Sequence, residues 1–270
     1  MLYKVKDKNE LLNIIRICNE KCNFTAVENL DISAVTDLGG VFSLCYNLRY
    51  LNLVKWKVSH VKNMRSMFDG CRYVININGI SEWDVSNVEY MDAMFYDCCA
   101  LKKLEISKWN VSKVKDMHSM FNSCKSLKNL DISKWKVSNV EKMLFLFNEC
   151  SALKELDISK WDVSKVEEMD YMFSDCSKIK YLDLSKWNIT NVKSMIALFN
   201  NCYKLEKINM SNLNLSRFNM FNFELFGNCN KLKYLNMLNC SISSQYHQTH
   251  NIFNESEKMN IIDGLLFTLN

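Results

Sequence analysis

Proline is absent from the 270-residue chain and glycine appears only six times. Rigid corners, flexible linkers and glycine-lined phosphate cradles are therefore scarce. Charge of one sign is also scarce. Thirty-four basic against thirty acidic residues leave a net charge of +4, too little to single out nucleic acid or an anionic membrane as partner. No apolar run approaches the roughly 20 residues of a membrane-spanning helix. The opening "MLYKVKDKNELLNII" alternates charged and apolar residues and has no uninterrupted apolar core, so no signal peptide is read and a cytoplasmic location is expected. No nucleophile elbow, phosphate loop or H-E-x-x-H helix occurs, and no C-x-x-C pair supports a structural zinc. The chain is expected not to be an enzyme and to need no metal or cofactor.

What is present is a beat. Trp56, Trp83, Trp109, Trp135, Trp161 and Trp187 recur at intervals of 27 and then 26 residues. Cys45, Cys71, Cys98, Cys124, Cys150, Cys176, Cys202 and Cys229 keep the same time. A period in this range marks a solenoid. Each copy carries two periodicities. "LKKLEIS" (101–107) alternates like a half-buried strand, and Val114, Met117, Met120 and Phe121 follow at helical spacing. Ser59, Ser86, Ser112, Ser138, Ser164, Thr190 and Ser216 precede that second run, where a hydroxyl can cap a helix. Ser86–Glu89, Ser138–Glu141 and Ser164–Glu167 match the capping box.

The expected fold is an α/β solenoid of leucine-rich-repeat type, a right-handed superhelix with a parallel sheet on one face and short helices on the other. About eight 26-residue repeats begin at Leu48, Val74, Leu101, Leu127, Leu153, Ile179, Leu205 and Leu232, after a partial coil containing Leu30, Ile32, Val35, Phe42 and Cys45. Residues 1–23 are read as an N-terminal capping helix, 24–240 as the solenoid, and 241–270 as a polar loop and C-terminal cap. The helix face comprises Leu11, Ile14, Ile15, Cys18 and Cys22, and the C-terminal cap offers Met259, Ile262 and Leu266. An extra residue near Gly79 predicts a bulge.

Tryptophan takes the last position of the repeat signature. Stacked at the strand spacing of about 4.8 Å, the indoles are expected to bury their rings and to donate their N–H groups to turn carbonyls. The cysteines are expected to be small buried hydrophobes. Stacked Cβ vectors run parallel at about 4.8 Å, beyond the usual disulfide range of about 3.5–4.5 Å. The methionine column (Met64, Met91, Met117, Met143, Met169, Met195) is read as packing. His247 and His250 with Cys240 are the one metal candidate outside the repeats, and solvated loop histidines are the stronger reading.

Binding is expected on the exposed strand face. One column varies from copy to copy: Tyr50, Asn76, Lys103, Asn129, Glu155, Tyr181, Lys207 and Tyr234. Its neighbour is polar and largely acidic: Asn52, Asn78, Glu105, Asp131, Asp157, Asp183, Asn209 and Asn236. Flanking lysines (Lys102, Lys128, Lys154 and Lys180; Lys108, Lys134, Lys160 and Lys186) are expected to relieve the repulsion among the acids. Exposed tyrosines among mixed charges suit a protein-binding surface. The alternatives are an anion or nucleic-acid binder using the lysines, a purely structural repeat protein, and a redox-sensitive structural protein using its thiols.

The W-x-V/T-S-x-V-x-x-M-x-x-M-F-x-x-C pattern after L-x-x-L-D-I/L-S, clearest in "LKELDISKWDVSKVEEMDYMFSDC" (153–176), closely resembles the BspA-like leucine-rich-repeat surface proteins. That 26-residue repeat is also abundant in mycoplasma lipoproteins of unknown function. The resemblance covers residues 24 to about 240. It implies a solenoid without catalytic residues, with adhesion or protein binding as its role and the cell surface as the family's usual setting.

Overall fold

A computed structural model describes residues 2–216, 218 and 225–241. The chain opens with a short strand that the periodicity did not announce, β1 (Tyr3–Lys4), followed by α1 (Lys8–Glu20). Asp7 caps α1 by accepting from the Glu10 amide at 2.9 Å, and Glu10 accepts in turn from the Lys6 amide. Leu11, Ile15 and Cys18 are the buried face. The helix stops earlier than expected. Cys22 turns left-handed (φ 52°), and the Cys22 and Asn23 amides bond back to Asn19 and Cys18. That closing turn leaves Cys22 exposed, correcting its assignment to the helix's apolar face.

From there the chain winds in coils. The paired strands are β2 (Leu30–Asp31), β3 (Tyr50–Asn52), β4 (Asn76–Asn78), β5 (Tyr181–Asp183), β6 (Lys207–Asn209) and β7 (Tyr234–Asn236). All pair in parallel: β1 with β2, β3 with β4, and β5 through β6 to β7. In the middle coils the pairing shrinks to single bridges, Lys103 to Asn129 to Glu155. Where pairing forms, the register equates residues that the repeat placed in one column: Tyr50 with Asn76, Lys103 with Asn129 and Glu155, and Tyr181 with Lys207 and Tyr234.

The second half of each copy is not a helix. Among the described residues no repeat contains an α-helix; short 3₁₀ turns occur at Val27–Asn29 and Ile80–Glu82. In the copy 111–124, the Met120, Asn122 and Cys124 amides each close a turn on the carbonyl three residues back. Ser119 and Ser123 supply left-handed corners at φ 55° and 61°. The Met117, Ser119, Phe121 and Ser123 amides instead donate to Lys142, Leu144, Leu146 and Asn148 of the next coil, at 2.8–3.1 Å. A chain of three-residue turns also sends every third or fourth side chain inward, so its apolar pattern imitates a helix. The capping serines are corrected with it. Ser86, Ser112, Ser164, Thr190 and Ser216 each donate a backbone N–H to an Asp or Asn two residues earlier, a local Asx turn. The Glu89, Glu141 and Glu167 amides bond across to the preceding coil, so no capping box forms.

Inside, the ladders form. Every repeat tryptophan is buried. Five donate Nε1–H to the preceding coil, for example Trp109 to Ile80 at 2.7 Å and Trp135 to Ile106 at 3.1 Å. Trp83 Nε1 has no partner. It follows the bulge at Gly79, whose φ of 92° brings it so close to Leu53 and Val54 that a Cβ would collide with backbone. All twelve cysteines are free thiols. From Cys71 to Cys229 the repeat thiols donate to carbonyls of the column Phe42 to Phe199 at 3.0–3.2 Å. The phenylalanines make the longest aromatic stack, running Phe42, Phe68, Phe95, Phe121, Phe147, Phe173, Phe199, Phe226 with centroids 5.2–5.8 Å apart. Phenylalanine thus joins tryptophan in holding the coils together. The C-terminal cap, with Met259, Ile262 and Leu266, and the His247–His250 pair lie outside the described residues.

Candidate functional site

The two sides of the coil are held very differently. On the turn side a ladder of bridges runs without interruption through Asp37, Asn63, Tyr90, Asp116, Lys142, Glu168 and Ser194. On the strand side no bridge among the described residues joins Asn76 to Lys103, or Glu155 to Tyr181. The bonds Lys128 to Lys102 and Lys154 to Lys128 stretch to 3.5 and 3.4 Å. In the middle coils the phenylalanine centroids are 5.6–5.8 Å apart and the indole centroids 6.3–6.4 Å apart.

Stacked like charges accompany the weakened pairing of the middle coils and the break between Glu155 and Tyr181. Where the polar column carries amides, three-residue strands form: Asn52 opposite Asn78, and Asn209 opposite Asn236. Across the middle coils like charges stack instead: Lys128, Lys154 and Lys180; Asp131, Asp157 and Asp183; Lys134, Lys160 and Lys186. Like charges directly opposite destabilise paired strands. The gap between Asn76 and Lys103 carries no like-charge stack; it lies beside the extra residue of this copy, where Gly79 turns left-handed.

Among the described residues no lysine forms an ion pair with Asp131, Asp157 or Asp183, although Lys134 helps to hold the Asp131 carboxyl low. Asp131, Asp157 and Asp183 each accept from the amide of the serine two residues on, at 3.2, 3.1 and 3.0 Å. Asn52, Asn209 and Asn236 hold their turns in the same way. These residues of the candidate site therefore shape the turn leaving the strand. The Ser133 hydroxyl and amide hold the Asp131 carboxyl below its usual range. Glu105 pairs with Lys103, and Asn78 accepts from Asn76 at 2.7 Å, each with the residue two places back.

Both interruptions open into grooves. The larger, about 980 Å³, spans successive coils at Glu155, Asp157, Tyr181 and Asp183. Its rim adds residues the sequence reading had not placed in the site: Lys178, Lys204, Glu206 and Lys231. They precede the strands, and the three lysines share a place in the repeat, two residues after the ladder cysteine. A smaller groove of about 350 Å³ collects Lys103, Glu105, Asn129 and Asp131 beside Glu82. Tyr50, Tyr181 and Tyr234 are 68%, 45% and 51% exposed. Lys207 lies over the Tyr181 ring at 5.6 Å, a cation–π contact that presents the two as a unit. Tyr50, Asn52 and Asn76 stand at one end of the face and Tyr234 at the other, outside both grooves.

Burial leaves the ladder thiols and Cys99 unreactive. Burial pushes the Cys45 thiol up to about 12 and the half-buried Cys99 up to about 11. A thiol so protonated is neither nucleophile nor ready metal ligand. On the turn side the structure brings together Asp92, Asp116 and His118. The sequence reading passed over them because their ladder positions vary from copy to copy.

The architecture is thus a parallel solenoid of leucine-rich-repeat type, in which core columns are regular and the strand face is not. A family model described as "Mycoplasma protein of unknown function, DUF285" matches residues 9–130, 73–181 and 124–240, and the chain belongs to that family. The search of curated proteins finds no match. Solved structures with a similar course include a leucine-rich-repeat protein of Leptospira interrogans (12% identity, TM-score 0.33, covering 83% of this chain and 64% of that one). An internalin of Listeria monocytogenes (13%, 0.31, 94% and 74%) and the receptor of a TLR13–ssRNA13 complex (16%, 0.33, 91% and 29%) are also similar. This chain spans less than two thirds of the Leptospira protein, and nothing about a ligand follows from likenesses this weak. Among the described residues no helix is long and apolar enough to cross a membrane.

Proposed function

We propose that the chain is a non-enzymatic scaffold that binds a protein partner through its strand face, centred on the groove between Glu155 and Tyr181. The observation that supports this is the loss of sheet pairing where like charges stack. A chain selected only for stability would place amides there, as it does at both ends. Local violations of folding rules concentrate where a surface serves another purpose. The groove mixes a tyrosine anchor, acids and lysines, the composition of a polar-rimmed protein interface. Adhesion is the setting that the BspA-like resemblance suggests.

A photo-crosslinking residue in place of Tyr181 should capture a discrete partner, whereas one in place of Lys193 on the turn side should not. Tyr181→Ala should then weaken that partner by about 30-fold, the loss of one interface hot spot. Equal crosslinking from both positions would refute the site. The second reading, an anion binder, draws on the five lysines of the groove, Lys154, Lys178, Lys180, Lys204 and Lys231. It predicts affinity falling by orders of magnitude between 50 and 200 mM salt; a shallow salt response excludes it.

A further inference from the structure

On the opposite, turn-side face the continuous ladder sets three potential ligands side by side. The Ala93 amide bonds to the His118 carbonyl at 2.9 Å and the Met91 amide to the Asp116 carbonyl at 3.1 Å. Asp92 and His118 thus occupy equivalent positions on adjacent coils, with Asp116 two residues before His118. One carboxylate oxygen of each aspartate and one ring nitrogen of His118 lie within 4.8 Å of one another. His118 Nδ1 and Asp116 Oδ1 share a hydrogen bond at 2.8 Å.

A second observation concerns Asp92 alone. It is 3% exposed. Arg65 Nε binds its Oδ2 at 2.6 Å, but its Oδ1 is buried with no protein hydrogen-bond partner. A buried carboxylate oxygen left bare is strongly disfavoured and calls for a donor or a cation. A second acid and an imidazole beside it make a cation the better fit.

We propose that Asp92, Asp116 and His118 form a binding site for a first-row divalent cation of the zinc class. Imidazole with two carboxylates suits such ions better than magnesium or calcium, which prefer all-oxygen sites. Three protein ligands leave a fourth position for water. Arg65, held on Oδ2, is an outer partner that fixes the Asp92 rotamer and balances one of the two acids. When the imidazole nitrogen takes the ion, the proton it shares with Asp116 leaves to solvent. The backbone ladder holds the ligands on neighbouring rungs, so little reorganisation is needed. This site is on the face opposite the groove, and its test is independent of the protein-binding proposal.

The test is isothermal titration of the full chain, freed of metal by chelator, with zinc chloride alone and separately with magnesium chloride. A Cys22→Ser, Cys99→Ser background removes the exposed thiol and one of the two partly buried ones. One equivalent of zinc should bind and magnesium should not. Asp92→Asn and His118→Ala should each weaken zinc by at least the 10–100-fold that loss of even an outer partner costs. His118 is partly exposed, so His118→Ala should keep the metal-free melting profile and decides the matter even if Asp92→Asn folds poorly. Absence of stoichiometric zinc binding in the parent, or undiminished binding in folded His118→Ala, would overturn the site.

Discussion

Trp83 and Trp109 are neighbours in one column, and they give a test with its own control. Both are buried and stack at 6.3 Å. Trp109 donates Nε1–H to Ile80 at 2.7 Å, whereas Trp83 Nε1 is buried without a partner. Replacing either by phenylalanine removes the same volume, so the cavity terms largely cancel between the two variants. Trp109→Phe also loses a hydrogen bond worth about 0.5–1.5 kcal/mol, and Trp83→Phe removes an unpaired donor that costs about 1–3 kcal/mol. The two effects have opposite sign, so Trp109→Phe should be more destabilising than Trp83→Phe by about 2–4 kcal/mol. The sandwiching of Trp109 between Trp83 and Trp135 widens the difference further. Urea unfolding followed by far-ultraviolet circular dichroism, at equal m-value, measures it. Equal midpoints, or a lower midpoint for Trp83→Phe, would refute the assignment of Ile80 as an energetically meaningful acceptor and of the Gly79 bulge as the cause of the orphan.

Other consequences follow from charge and thiols. Asp157→Asn should raise stability by about 0.2–1 kcal/mol, because it removes like charge from between Asp131 and Asp183. Added salt should raise the parent's urea midpoint more than the variant's, and an unchanged or lowered midpoint in Asp157→Asn would contradict the charge account. Burial raises the repeat thiols' pKa above the ordinary value of 9.0, Cys45 to about 12, and Cys150 and Cys176 likewise well above it. The unfolded thiols ionise first as pH rises. Stability is therefore intact below about pH 9 and falls between there and the folded pKa values. Cys150→Ala should show a shallower loss between pH 8 and 10; a slope identical to the parent's would count against ionisation of the unfolded thiols as its cause.

The columns were legible because each is a single residue type repeated at one interval. Trp135 and Cys150 announce themselves, and the same count fixed the strand register from Tyr50 to Tyr234. The turn ladder was not legible. Val114, Met117, Met120 and Phe121 face inward at intervals shared by a helix and by consecutive turns, and only the left-handed Ser119 and Ser123 tell them apart. Serine does not advertise that conformation as glycine would. The candidate site was half visible. Tyr181 and Glu155 stood out as variable exposed positions, but the groove between them lies where Lys154, Asp157 and Lys160 meet their own kind one coil on. That is a property of two coils together. Asp92 and His118 escaped for a similar reason, since they lie 26 residues apart and become neighbours only through the stack.

The most direct measurement is thiol labelling of the native, reduced protein at neutral pH, followed by peptide mapping. Cys22 should react at once and Cys99 and Cys240 slowly, while Cys18, Cys45, Cys71, Cys98, Cys124, Cys150, Cys176, Cys202 and Cys229, all buried, should stay unlabelled until denaturant unfolds the chain. Rapid modification of that buried set in the folded protein would mean that the coils do not close over their sulfur column, and the stacked interior described above would be wrong.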